Sequence, residues 1–266
     1  MRTDDEQTAD PRLHEYYESR YVEAERLDRR SGRLELERTK ELLGRHLPPK
    51  ARIIDIGGGT GIYAAWLASL GHHVHLIDVV AGHVETAAAS GAFTTAVGDA
   101  RSLPDADDTY DVALLMGPLY HLPDSSDRQR ALAEARRVLR PGGLLVAAYV
   151  SRPATMLDGY VKGWIYSERG LEAVRNIVGL GVDDRGQGFG AIAYFHLPTE
   201  IAPELEAADL EVEHVYGIEG PGWIAPEFDE RWSSDRDVML ETARACESDP
   251  ELLGVSGHIM AVARRP

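Results

Sequence analysis

What the chain lacks narrows its function first. Cys246 is the only cysteine among 266 residues, which excludes an internal disulfide and any cysteine-based metal cluster. Lysine is nearly absent, with Lys40, Lys50 and Lys162 the only three, and there is no basic run. The 28 basic residues stand against 44 acidic ones for a formal charge of −16. A surface that negative repels phosphate backbones and anionic lipid headgroups, so neither nucleic acid nor a membrane is expected as a partner. No apolar stretch approaches the roughly 18–20 residues that a membrane span requires. The opening residues, MRTDDEQTAD, have neither the basic region nor the apolar core of a secretory signal. A cytoplasmic protein acting on a small molecule is the expectation, with the choice between monomer and homodimer left open.

What is present is an alternation of strands and helices. Leu13, Tyr16, Tyr17, Tyr21, Ala24 and Leu27 recur at helical spacing, and a second helix is expected from Leu34 to Leu43. ARIIDIG, HHVHLID, FTTAVGD, YDVALLM and LLVAAYV then read as five strands separated by helices that stop at Gly71, at Gly91 and before RPGG. Ser125 or Ser126 is expected to cap the last of these helices, the one that ends before RPGG. The alternation predicts an α/β fold with a doubly wound, mostly parallel sheet and right-handed crossovers. Residues 151–197 are rich in glycine and aromatics and read as an insertion. Residues 198–266 add two helices and the strands LEVEHVYGI and HIMAVARR, for seven strands in all. The expected organisation is a single domain over 1–266, with a helical cap over 1–46, a core over 51–150, the insertion over 151–197 and the remainder of the sheet after it.

The most informative stretch is Asp55-Ile56-Gly57-Gly58-Gly59-Thr60-Gly61. Glycines after a strand permit a tight turn and a close backbone approach to a ligand, which the N-terminus of the next helix then faces. The spacing is G-x-G-x-G, and Ile62 stands where a dinucleotide fingerprint wants a small residue. Asp55 is awkward beside a pyrophosphate but suits a cation such as an ammonium or a sulfonium. Asp78 ends the second strand, where a carboxylate accepts both hydroxyls of a ribose; this suits NAD and any adenosine ligand equally. Asp99, in Gly98-Asp99-Ala100, is either an acceptor for an adenine amino group or a turn aspartate.

With these motifs in view, DIGGGTG, the LID strand end, VGDARSLP, YDVALLM and LRPGG resemble the class I S-adenosylmethionine-dependent methyltransferases. GPLYHL, YFHLPTE, IEGPGW and LLGVSGHIMAVAR further resemble a bacterial small-molecule, natural-product type subgroup. The resemblance implies a Rossmann-like seven-stranded sheet whose last strand is antiparallel, with S-adenosylmethionine as cofactor and S-adenosylhomocysteine as product. It implies that Gly57, Gly59 and Gly61 line the methionine part, that Asp78 with Val79 takes the ribose, and that Asp99 and Ala100 sit at the adenine. Met116 and Gly117 would flank the methionyl end.

Methyl transfer from a sulfonium is an in-line displacement, so the protein aligns the reactants, excludes water and removes a proton where the acceptor requires it. His121 in GPLYHL is a candidate general base or acceptor-orienting group, and the same position suits a histidine that merely shapes the loop. The first helix offers Tyr17 toward the cofactor, Tyr21 as a catalytic hydroxyl and Arg26 toward the methionyl carboxylate; the plain alternative is a docked aromatic face and a surface ion pair. Acceptor-pocket candidates are Tyr120, Tyr160, Trp164, Phe195, His196 and Trp223, with Tyr166, Phe189 and Tyr194 in the same aromatic set. Some of these serve the core. An indole- or phenol-bearing acceptor is the expectation. His72, His73 and His75 alternate across strand faces and have no metal-ligand spacing. Cys246 reads as a buried structural thiol. An NAD(P)-dependent oxidoreductase and a non-catalytic cofactor-binding protein are the competing readings.

Overall fold

A computed structural model describes Leu27, residues 31–183 and residues 192–266. The first described helix, α1 (Gly32–His46), leads to β1 (Arg52–Ile56). Then follow α2 (Ile62–Ser69), β2 (His73–Asp78), α3 (Ala81–Ala88), β3 (Thr94–Val97) and β4 (Tyr110–Leu115). A 3-10 turn (Pro118–His121) precedes α4 (Ser125–Val138) and β5 (Leu139–Val150). The insertion contains α5 (Arg152–Lys162), α6 (Glu168–Leu180) and a small ribbon of β6 (Val182–Asp183) with β7 (Ala193–Tyr194). The chain closes with α7 (Pro198–Glu206), β8 (Glu211–Gly217), α8 (Phe228–Ser234), α9 (Arg236–Cys246) and β9 (His258–Arg264).

The seven-stranded sheet has the order β3-β2-β1-β4-β5-β9-β8. Strands β1 to β5 run parallel, and β9 lies antiparallel between β5 and β8. This is the Rossmann-like sheet with an antiparallel last strand that the motifs imply. The order reverses beside β1, and in such sheets ligands bind in the crevice beyond the carboxyl ends of the strands. The apolar runs of the central strands are buried on both faces, as parallel strands covered by helices must be. One face packs Leu42 and Leu43 of α1 and Leu67 of α2 on Val112, Leu114, Leu144, Val146, Met260 and Val262. The other packs Leu132 and Ala135 of α4 and Ile201 of α7 on Ile54, Ala113, Leu145 and Ile259. Among the described residues no helix is long and apolar enough to cross a membrane.

Two local expectations are corrected. Asp124, not Ser125 or Ser126, caps α4: its side chain accepts from Ser126 N–H at 2.8 Å, and the serines form the first turn. The helix expected near Ser234 to Glu247 is present as α9, and α8 precedes it across Asp235. The insertion is more regular than its composition suggests. Ser151 caps α5 and Pro153 occupies the first turn, where its missing N–H costs nothing. Gly159 lies so close beneath the Trp164 ring that a Cβ would stand 2.8 Å from it.

Candidate functional site

Beyond the carboxyl ends of β1, β2 and β4 lies a cavity of about 280 Å³. Its floor is the glycine loop. Gly57 turns with φ +72°, and its N–H, with that of Gly58, donates to the Ile77 carbonyl at 2.6 and 3.3 Å. Gly59 N–H donates to Asp78 Oδ2 at 2.8 Å, and Gly61 N–H to the Gly58 carbonyl at 3.0 Å. The amides that a pyrophosphate would need are thus committed within the protein, which argues against a dinucleotide on this loop.

Asp55 lines the cavity and is completely buried, and neither carboxylate oxygen has a hydrogen-bond partner among the described residues. Burial, with the charge of Asp78 second, pushes its carboxyl up to about 7. An orphaned, desolvated carboxylate beside a cavity is stabilised by an incoming cation, which fits the ammonium and sulfonium of S-adenosylmethionine. The Thr60 hydroxyl is likewise buried without a partner among the described residues and lines the same cavity. The motif reading did not single it out.

Asp78 has a structural task as well as a place in the cavity. Its oxygens accept from Gly59 N–H and Val80 N–H, both at 2.8 Å, and His83 Nδ1 stands 3.4 Å away. Each oxygen retains a lone pair for a ligand hydroxyl. Asp78→Ala therefore strips two loop amides of their acceptor; a loss of about 2–4 kcal/mol of folding stability is expected in denaturant titration, alongside weaker cofactor binding.

Asp99 and Ala100 also line the cavity, although β3 ends two residues before Asp99. Arg101 folds back on the Asp99 carboxylate with contacts of 2.6–3.1 Å and continues to Asp127 at 2.7 Å. Met116, Gly117, Tyr120 and His121 close the other end. The Tyr120 hydroxyl donates to the Met116 carbonyl at 3.2 Å, and His121 Nδ1 faces the Ile192 carbonyl at 3.4 Å. Asp55, Gly57, Gly59, Asp78, Val79, Asp99, Ala100, Met116, Gly117, Tyr120 and His121 are thus brought together at one cavity. Gly61 sits just behind the loop, with a Cβ there meeting Phe93 at 2.7 Å. Tyr17, Tyr21, Arg26, Tyr16 and Phe189 lie outside the described residues.

A second cavity of about 970 Å³ opens at the same end of the sheet, over β5, β9 and the chain following β8. Phe195, Trp223 and Phe228 line it together with Glu35, Glu219 and His258. The Trp223 indole N–H donates to the Val255 carbonyl at 2.7 Å, which holds its ring in place. The remaining aromatic candidates are elsewhere. Tyr160 is 62% exposed and lines neither cavity. Trp164 lines neither; its ring packs on the Ala173 and Ile177 cluster while its N–H donates to Asp158 at 3.2 Å. His196 is buried and lines neither; it joins Glu204 at 3.0 Å and lies edge-on to Tyr149 and Tyr194. Cys246 is buried in α9, with burial pushing its thiol up.

The family model described as "Methyltransferase domain" matches residues 54–147, the stretch that builds β1 through β5. A demethylmenaquinone methyltransferase of Mycolicibacterium vanbaalenii is 31% identical over 73% of this chain and 75% of its own length. A ubiquinone biosynthesis O-methyltransferase of Xanthomonas oryzae is 30% identical over 65% of this chain and 68% of its own length. Among solved structures, a SAM-dependent methyltransferase of Methanosarcina mazei shares the fold at a TM-score of 0.59 and 21% identity, covering 84% of this chain and 96% of that one. With the strand order, the glycine loop and these relatives in agreement, the chain belongs to the class I S-adenosylmethionine-dependent methyltransferases and takes S-adenosylmethionine as its cofactor.

Proposed function

We propose that this enzyme methylates a small aromatic acceptor bearing an ionisable O–H or N–H, of the phenol or indole type found in bacterial natural products. The observation that carries this reading is the second cavity, whose Phe195, Trp223 and Phe228 offer aromatic faces while Glu35, Glu219 and His258 offer polar ends. Aromatic walls with a few convergent polar groups suit a flat ligand with a polar edge. Two relatives whose names specify demethylmenaquinone and ubiquinone biosynthesis support a ring-bearing acceptor.

In this reading the smaller cavity holds S-adenosylmethionine, which supplies an electrophilic methyl carbon on sulfur. Asp55 neutralises its cationic end, and Gly57, Gly59 and Gly61 let the loop backbone approach it. Asp78 with Val79 receives the ribose, Asp99 and Ala100 the adenine, and Met116 and Gly117 the methionyl end. His121 and Tyr120 line the smaller cavity, and there His121 orients the acceptor or takes its proton. Tyr17 toward the cofactor, Tyr21 as a catalytic hydroxyl and Arg26 toward the methionyl carboxylate complete the proposal with residues outside the described ones. Tyr160, Trp164 and His196 would reach an acceptor only through rearrangement of the insertion.

Isothermal calorimetry should show micromolar S-adenosylhomocysteine binding and no binding of NAD or NADP. A transfer assay with labelled cofactor against phenols, indoles, hydroquinones and amines should then label an O–H or N–H aromatic. Labelling confined to aliphatic amines would overturn the acceptor class and leave the family assignment intact.

A further inference from the structure

The second cavity holds a charge cluster that the motif reading did not find. His258, the first residue of β9, points its Nδ1 at Glu219 Oε1 at 2.6 Å, with Glu35 Oε2 of α1 at 3.6 Å. Glu219 is itself fixed. Its Oε2 accepts from the Ser256 hydroxyl and from His258 N–H, each at 2.9 Å, while Glu219 N–H donates back to Ser256 Oγ at 3.0 Å. Only 3% of Glu219 is exposed, and Gly257 lies against its carboxylate, where a Cβ would come within 3.4 Å. This is how a carboxylate is held when its task is to orient an imidazole: the bond to Nδ1 selects the tautomer that makes Nε2 the basic nitrogen.

The sheet register relates this cluster to the cofactor cavity. Val112 pairs with Leu144 and Leu114 with Val146, while on the other side Val146 pairs with Val262, Ala148 with Met260 and Val150 with His258. By alternation Val150, Met260 and His258 share the sheet face of Val112 and Leu114, and Met116, the residue after β4, packs with that face's core. His258 therefore stands two strand spacings, about 10 Å, from the strand that leads into Met116. Leu27 lines the first cavity, and Ser31, Gly32 and Glu35, at the start of α1, line the second.

We infer that His258, positioned by Glu219, is the general base that deprotonates the acceptor in the second cavity; this rests on the reading of that cavity as the acceptor site. The acceptor's O–H or N–H bond breaks and its proton forms an N–H bond at His258 Nε2. The electron pair left on the acceptor atom bonds to the methyl carbon, and the C–S pair remains on sulfur. The imidazolium formed faces the Glu219 carboxylate, which stabilises it, and later releases the proton to water. Burial pushes the Glu219 carboxyl up, but the charge that His258 carries once protonated and the hydrogen bonds from His258 and Ser256 outweigh this and hold it below the usual range, so it is ionised when the imidazolium forms. His121 is then left to position the acceptor.

4-Nitrophenol tests this without knowledge of the natural acceptor, because its absorbance reports its ionisation. Added to the full chain with S-adenosylhomocysteine one pH unit below its own pKa, it should bind as phenolate. His258→Asn should retain binding by calorimetry and lose at least nine-tenths of the bound phenolate signal. Trp223→Ala should weaken binding at least tenfold. Binding that ignores Trp223→Ala, or no binding, overturns the cavity assignment. Binding that depends on Trp223 with phenolate surviving His258→Asn overturns the base. The 15N spectrum of histidine-labelled protein decides the tautomer separately: protonated Nδ1 on His258 in the wild type, altered in Glu219→Gln, is expected. A protonated Nε2 and unprotonated Nδ1, or signals that change on EDTA treatment as they would for a metal held by Glu35, Glu219 and His258, would overturn the assignment.

Discussion

Replacing Asp55 by Asn should remove a stability penalty that grows by about 4 kcal/mol between pH 4 and pH 8 in the ligand-free protein. The carboxyl has a folded value of about 7 against 3.8 for the unreacted group, raised by burial and then by Asp78. The folded chain therefore binds this proton more tightly than the unfolded chain. The contribution is fully present below about pH 4 and is lost as pH rises through 7. Denaturant titrations of wild type and Asp55→Asn at the two pH values isolate the effect, because other carboxylates cancel in the difference. The stability of the variant relative to wild type should rise by the stated amount toward pH 8. A difference constant to within about 1 kcal/mol would mean that Asp55 is ionised in the free protein at pH 4. The same proton links to binding: S-adenosylhomocysteine affinity should climb toward pH 7 and level off above it, and the variant should lack the climb.

Gly57→Ala should cost both folding and binding, whereas Gly59→Asn should cost binding alone. Gly57 has φ +72°, and an added Cβ would stand 2.5 Å from Pro118 Cγ and 2.7 Å from Cδ. A proline ring has little freedom to yield, so the turn carrying Tyr120 and His121 must move. The left-handed backbone and the overlap together should cost about 2–4 kcal/mol, with an affinity loss of about 100-fold. Gly59 has φ +57° and nothing within 4 Å of an added Cβ. Asparagine tolerates that backbone region, so stability should change by no more than about 1 kcal/mol while its side chain obstructs the cavity. Scanning calorimetry with ligand titration checks both. Equal losses of stability in the two variants would refute the distinction.

The cofactor end of the site was legible because its residues are local. Asp55, Gly57 and Gly59 occupy one strand-to-helix turn, and Asp78 ends the adjacent strand, so chain pattern and parallel-sheet topology suffice to bring them together. The second cavity, which we propose as the acceptor end, was less legible. Phe195 and Trp223 reach the second cavity, but Tyr160, Trp164 and His196 do not, and aromatic composition cannot separate wall from core because burial rewards both. The Arg152–Lys162 helix was hidden by Pro153 and Gly159, residues that read as breakers until their places in the first turn and under Trp164 are known.

By itself the sequence determined the sheet, its parallel crossovers, the glycine loop and the carboxylates at the strand ends, all consequences of periodicity and of contacts between chain neighbours. Only the tertiary structure joined Glu35, Glu219 and His258. They come from a helix near one end of the chain, the loop after β8 and the start of β9, and Glu219 and His258 are 39 residues apart. What unites them is the insertion of β9 antiparallel between β5 and β8, which returns the end of the chain to the ligand edge of the sheet beneath α1. No local pattern encodes that meeting, because side chains gathered by strand order carry no fixed spacing along the chain.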